Sequence, residues 1–121
     1  MENRVLVAED EEINQMFVKE ILNMNGFECD IAENGQIAVD LLKKNNNYKF
    51  VLLDVRMPVM NGTDAAKIIL SDDSINPKPV IIIVTANSNQ DELDSYMEIG
   101  VDGVLSKPFT LKSLKEVLSS F

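Results

Sequence analysis

At the ends of the short apolar runs of this chain stand residues that could do chemistry. Val5-Leu6-Val7-Ala8 runs into Glu9-Asp10, Phe50-Val51-Leu52-Leu53 into Asp54, residues 80–84 into Thr85, and residues 103–105 into Ser106-Lys107. If these runs are parallel strands, ligands bind beyond their carboxyl ends, and one sheet edge receives carboxylates, a hydroxyl and an ammonium group. Carboxylates brought within a few ångströms repel one another strongly at an intermediate dielectric, so they either take up protons or hold a cation. An all-oxygen set of few ligands suits Mg²⁺, or Mn²⁺ in its place, because such an ion keeps several waters and shares its shell with a phosphate oxygen. Lys107 adds a second positive charge and Thr85 a donor, so the group describes a pocket for a small, doubly charged anion. With a single cysteine, no histidine and no Gly-x-Ser-x-Gly elbow, Asp54 is the natural nucleophile, attacking phosphorus to give an acyl phosphate while Glu9 and Asp10 hold the metal. Phosphoryl transfer needs mainly positioning and charge neutralisation, which a metal, a lysine and a threonine supply without a general base.

The elements that must position these residues follow from periodicity. Apolar runs at 5–8, 28–32, 50–54, 80–85 and 103–106 alternate with stretches of helical period at 12–24, 36–44, 63–70, 89–98 and 111–118, the pattern of repeated βα units on a mostly parallel sheet. The third run is apolar on both faces, as a central strand covered by helices must be. Gly26 and Gly100 close the first and fourth helices, Ser88 three residues before Asp91 reads as a capping box, and Thr110 caps the last helix. Asn45-Asn46-Asn47 marks an exposed loop. On the first helix Ile13, Phe17, Ile21 and Met24 share an apolar spacing and are expected in the core.

Composition bounds the rest. A chain of 121 residues, 45% hydrophobic and 26% charged, is one soluble domain over 1–121, with no apolar run long enough for a membrane span. The first residues carry no secretory signal, so a cytoplasmic location is expected. Lone Cys29 forms no internal disulfide, and the absence of histidine removes transition-metal sites and serine or cysteine triads together. A net charge of -9 argues against direct nucleic-acid binding.

Four strings carry a resemblance that runs through the whole chain: Val7-Ala8-Glu9-Asp10; Asp54-Val55-Arg56-Met57-Pro58-Val59-Met60-Asn61-Gly62; Val84-Thr85-Ala86-Asn87; and Leu105-Ser106-Lys107-Pro108-Phe109. In this order and at this spacing they resemble the receiver domains of two-component response regulators, in wording closest to those attached to hybrid sensor kinases. The resemblance implies a flavodoxin-like (βα)5 three-layer sandwich with a parallel five-stranded sheet of order 2-1-3-4-5. It implies a phosphoacceptor switch rather than an enzyme in its own right, with Asp54 taking a phosphoryl group from a phosphohistidine on a sensor histidine kinase or a histidine phosphotransfer protein. Asp10, Asp54 and the backbone carbonyl of Arg56 would ligate Mg²⁺, with Glu9 acting largely through water. Thr85 would bond the phosphoryl group, Ala86 would leave it room, Lys107 would pair with Asp54, and the Lys107–Pro108 peptide would be cis. The surface of the fourth helix, fifth strand and fifth helix would then change. Apart from the resemblance, the alternative to a core place for Phe17 is that, with Asn14 and Phe109, it forms a docking patch for the phosphodonor.

The chain departs from the pattern in two places. Glu9-Asp10 stands where many members have Asp-Asp, and Val104 stands three residues before the lysine, where many carry an aromatic residue that swings inward. Taken singly, each residue has a plainer reading: Asp54 as a turn or cap residue, Glu9 to Glu12 as an acidic turn favouring a helix N-terminus, Thr85 as a strand-end hydroxyl, Lys107 as a surface charge. Convergence favours the functional reading. An aspartyl-nucleophile phosphohydrolase of the haloacid dehalogenase type would want an acid or threonine two residues after Asp54, where Arg56 stands. A flavin or dinucleotide binder would want a Gly-x-Gly-x-x-Gly after the first strand, which is missing.

Overall fold

In the computed structural model of the chain, residues 3–45, 47–86 and 89–121 are described. The elements alternate without exception: β1 (Arg4–Ala8), α1 (Glu12–Met24), β2 (Glu28–Ala32), α2 (Gly35–Lys44), β3 (Phe50–Asp54), α3 (Gly62–Ser71), β4 (Val80–Thr85), α4 (Gln90–Ile99), β5 (Gly103–Ser106) and α5 (Leu111–Ser119). The strands form one parallel sheet of order β2-β1-β3-β4-β5, the predicted order.

The two-residue period of the strands divides the core into two layers. Val5 and Val7, Phe50 and Leu52, Ile82 and Val84 face one side, where they meet Val18, Ile21 and Leu22 of α1 and Leu114 and Leu118 of α5. Leu6 and Ala8, Val51 and Leu53, Ile81 and Ile83 face the other, against Ala38, Val39 and Leu42 of α2, Ala65, Ala66 and Ile69 of α3, and Tyr96 of α4. Every residue of β3 is buried, as its central place and its unbroken apolar run require. Edge strands β2 and β5 are only partly covered.

The expectation for α1 needs correction. Ile21 is buried, but Ile13 is 82% exposed, Phe17 47% and Met24 65%; the core-facing stripe is Val18, Ile21 and Leu22. The apolar arc of α1 is wider than the sheet can cover, and its outer half stays in solvent. The start of α4 also differs. Its N-cap is Asn89, whose side chain accepts from the Glu92 N–H, one residue after the proposed capping box, and Ser88 itself lies outside the described residues. Asn34 and Asn61 cap α2 and α3 in the same way, and Thr110 with Ser113 forms a reciprocal box at α5, so four helices start on a side-chain oxygen. Gly100 ends α4 at φ 106°, a conformation that suits glycine. Asn45 and Asn47 are exposed and residue 46 lies outside the described residues. Among the described residues no helix is long and apolar enough to cross a membrane.

Candidate functional site

The carboxyl ends of β1, β3, β4 and β5 meet at one edge of the sheet. In-register pairing sets this up: Ala8 lies beside Leu53, Asp54 beside Val84, and Thr85 beside Ser106, so the residues just beyond each strand arrive at nearly the same height. Glu9 and Thr85 are buried and Asp54 is 9% exposed, whereas Asp10 is exposed. One oxygen from each of Glu9, Asp10 and Asp54 lies within 4.8 Å of the others.

Lys107 reaches this cluster from the β5–α5 loop. Its Nζ donates to Asp54 Oδ2 at 3.0 Å and to Glu9 Oε1 at 3.3 Å. Burial works to lower the Lys107 pKa, but the hydrogen bond and charge of Asp54, with the charge of Glu9, raise it on balance, so the ammonium form is secure. Burial raises the Glu9 carboxyl and the Asp54 charge adds to the effect, against the Glu11 backbone N–H and Lys107. Glu9 is anchored by that Glu11 N–H on Oε2 at 3.1 Å. A buried carboxylate pressed by another is the state that a divalent cation relieves. The donors are hard oxygens and one face of the cluster opens to solvent at Asp10, so the residues present suit Mg²⁺.

The cluster forms the floor of an open cleft of about 530 Å³, walled by Asp10, Asp54, Arg56, Thr85, Ala86 and Lys107. Gly62 fixes the far side. Its N–H bonds to the Val55 carbonyl at 3.1 Å, and a Cβ at this position would collide with the Asp54 carbonyl, so the start of α3 can press on the backbone that carries Asp54 only without a side chain. The Lys107–Pro108 peptide is cis. The next residue, Phe109, is buried and its ring meets that of half-exposed Phe17 at 5.8 Å. Asn14 lies one helical turn before Phe17 and donates to Glu11 Oε1. Val104 is partly buried against the core layer that holds Tyr96.

The sequence reading did not single out Glu92 and Tyr96, which complete the cleft wall from α4. Tyr96 is the one buried residue of that helix among those described; an aromatic at i+4 from Glu92 was the available signal.

Against known proteins, residues 5–119 match the response regulator receiver domain family, and the chain belongs to it. It is 36% identical over 113 residues to two-component response regulator 24 of Arabidopsis thaliana, covering 93% of this chain and 79% of that protein. It is 37% identical over 117 residues to the autoinducer 1 sensor kinase/phosphatase LuxN of Vibrio harveyi, covering 97% of this chain but only 13% of the kinase; the chain thus spans a small part of such sensor-kinase relatives. In three dimensions it superposes with a TM-score of 0.87, at 28% identity over 99% of this chain and 97% of the other, on the receiver domain of a sensor histidine kinase from Pseudomonas aeruginosa, whose structure has a magnesium ion coordinated in the active site cleft. This is a receiver domain of the two-component and phosphorelay systems, with an acidic cluster like their magnesium site.

Proposed function

We infer that Asp54 is the phosphoacceptor and that the chain works as a switch rather than as a turnover enzyme. The reading is carried chiefly by the contact of Lys107 Nζ with Asp54 Oδ2 at 3.0 Å, beside carboxylates that converge within 4.8 Å. An Asp54 carboxylate oxygen attacks the phosphorus of a phosphohistidine; the new O–P bond forms as the P–N bond breaks, and the departing imidazole nitrogen takes a proton from solvent. Mg²⁺, or Mn²⁺, held by Asp10, Asp54, the Arg56 carbonyl and, through water, Glu9, would neutralise charge on the carboxylates and the phosphoryl oxygens. Lys107 follows the charge from the carboxylate to the phosphoryl group, the Thr85 hydroxyl donates to it, and Ala86, lacking bulk at the cleft wall, leaves it room.

The donor is a sensor histidine kinase or a histidine phosphotransfer protein. The exposed outer half of α1 suits its docking: Ile13, Met16 and Phe17 form an apolar patch beside Asn14 and the Phe109 ring, next to the cleft mouth. The whole of 1–121 acts as one receiver domain in the cytoplasm, and its output surface is α4, β5 and α5. The test is incubation with acetyl phosphate, with and without Mg²⁺, read by intact mass. One phosphoryl group should add in the presence of Mg²⁺ only, and Asp54→Asn should abolish it; an adduct that persists in the variant removes the assignment.

A further inference from the structure

The segment between β3 and α3, which carries the Arg56 carbonyl, is held in a strained path. Within it the Met60 N–H donates to the Pro58 carbonyl at 2.7 Å, across Val59 at φ 68°. This three-residue turn is the positive-φ form of the γ-turn, which is rare and strained. A β-branched residue is an outlier there, and among the described residues no other non-glycine has a positive φ. The Val59 side chain is 82% exposed, so its own burial does not offset the strain. Backbone in such a conformation persists only where its surroundings impose it.

Two glycines do so. At one end the Gly62 N–H holds the Val55 carbonyl, as described above. At the other end Gly35, the first residue of α2, donates its N–H to the Met60 carbonyl at 3.0 Å. That N–H is among the helix-start donors that have no partner within the helix, and the Asn34 cap serves Ile37 instead. A Cβ on Gly35 would lie 2.6 Å from the Met60 carbonyl oxygen, so only glycine lets α2 approach the loop this closely. The Met60 side chain is in turn packed against the core layer that holds Ala38 and Ala65.

We propose that Gly35 is a positioning residue for the Arg56 carbonyl: through its bond to Met60 it keeps the turn at Val59 wound, and so holds the loop backbone ready for a divalent ion. The proposal rests on the reading of Asp10, Asp54 and Arg56 as metal ligands given above. A small ion with short, directional bonds tolerates little displacement of a ligand, so a carbonyl set in advance strengthens binding without adding a contact. The consequence is that α2, which supplies none of the described residues of the cleft wall, belongs to the metal site.

The discriminating experiment titrates Mg²⁺ into the full chain by isothermal calorimetry, with urea unfolding of the same samples. Gly35→Ala should weaken Mg²⁺ about five- to tenfold, the size of one neutral hydrogen bond. Val59→Gly removes the strain and lets the turn unwind; it should weaken Mg²⁺ about two- to fivefold at an unchanged or higher urea midpoint. Leu42→Val, about two turns further along α2 and buried, should lower the urea midpoint and leave Mg²⁺ affinity unchanged. A merely structural role for Gly35 would make affinity indifferent to all three. Unchanged affinity in Gly35→Ala or Val59→Gly, or an equal loss in Leu42→Val, overturns the proposal; if Gly35→Ala does not fold, Val59→Gly decides alone. Failure of the unsubstituted chain to bind Mg²⁺, or equal binding by Asp10→Ala, would sink the reading of the acidic cluster itself, and the proposal with it.

Discussion

Lys107 sets the charge balance at the residue scale. Its ammonium group satisfies oxygens of Asp54 and Glu9, both largely withdrawn from water. In the metal-free chain, Lys107→Ala leaves those acceptors without a countercharge and should cost about 1–3 kcal/mol in urea unfolding at neutral pH, the range for orphaned buried partners. Added Mg²⁺ should recover part of that loss, because it supplies the missing positive charge. An unchanged urea midpoint in the metal-free variant would show that solvent, rather than Lys107, balances the cluster. The residues of this cluster were legible in the sequence because each terminates an apolar run and nothing else in the chain offers a comparable convergence. Tyr96 was not legible as part of the cleft wall, since that depends on which side of α4 faces the sheet, a matter of tertiary packing that a ten-residue helix with Leu93, Met97 and Ile99 as rival apolar positions does not declare.

At the scale of the element, the contact between α3 and β3 is the most exacting. Gly62 lies where any Cβ would collide with the Asp54 backbone. Gly62→Ala should therefore destabilise the chain by about 1–3 kcal/mol, as forced overpacking does, and also slow phosphorylation in the folded fraction by displacing Asp54. A variant with normal unfolding and normal reactivity would contradict this placement. Helix α1 teaches the opposite lesson. Its apolar stripe was visible, but periodicity reports which residues could share a face and not how much of it the sheet covers. Replacing exposed Phe17 with serine should cost about 1 kcal/mol or less in stability, against about 2–5 kcal/mol for Leu22→Ala in the buried stripe. Comparable losses at the two positions in chemical unfolding would return Phe17 to the core.

For the molecule as a whole, the five alternating βα units and the central place of the third strand were legible from periodicity and from the unbroken run at 50–53, whereas the strand order came with the resemblance and the helices that cover each face were not legible. The titration behaviour was not legible, since it arises from contacts across the far end of the sheet. There the Cys29 thiol is pushed up to about 11, first by burial and then by the charge of Asp30. Tyr48 is raised well above its ordinary range, by burial and by its hydrogen bond to Asp30 at 2.7 Å. The fold thus favours the neutral thiol and phenol, and at Lys107 it favours the ammonium. All three have raised folded-state values, so the stability they contribute is fully present below their ordinary values and is lost as pH rises through the folded ones. The urea midpoint should fall from about pH 9 upward, and Cys29→Ala should flatten the first part of that fall; a midpoint constant through about pH 11 would contradict it. The most direct test of the central claim concerns the bond itself. The chain would be loaded with acetyl phosphate and Mg²⁺ and then treated with borohydride, which reduces an acyl phosphate to an alcohol and so converts the modified aspartate to homoserine. Peptide mapping should find homoserine at position 54 and nowhere else. Homoserine at Asp10 or another carboxylate, or a phosphoryl group that survives borohydride on the Thr85 hydroxyl, would contradict the account.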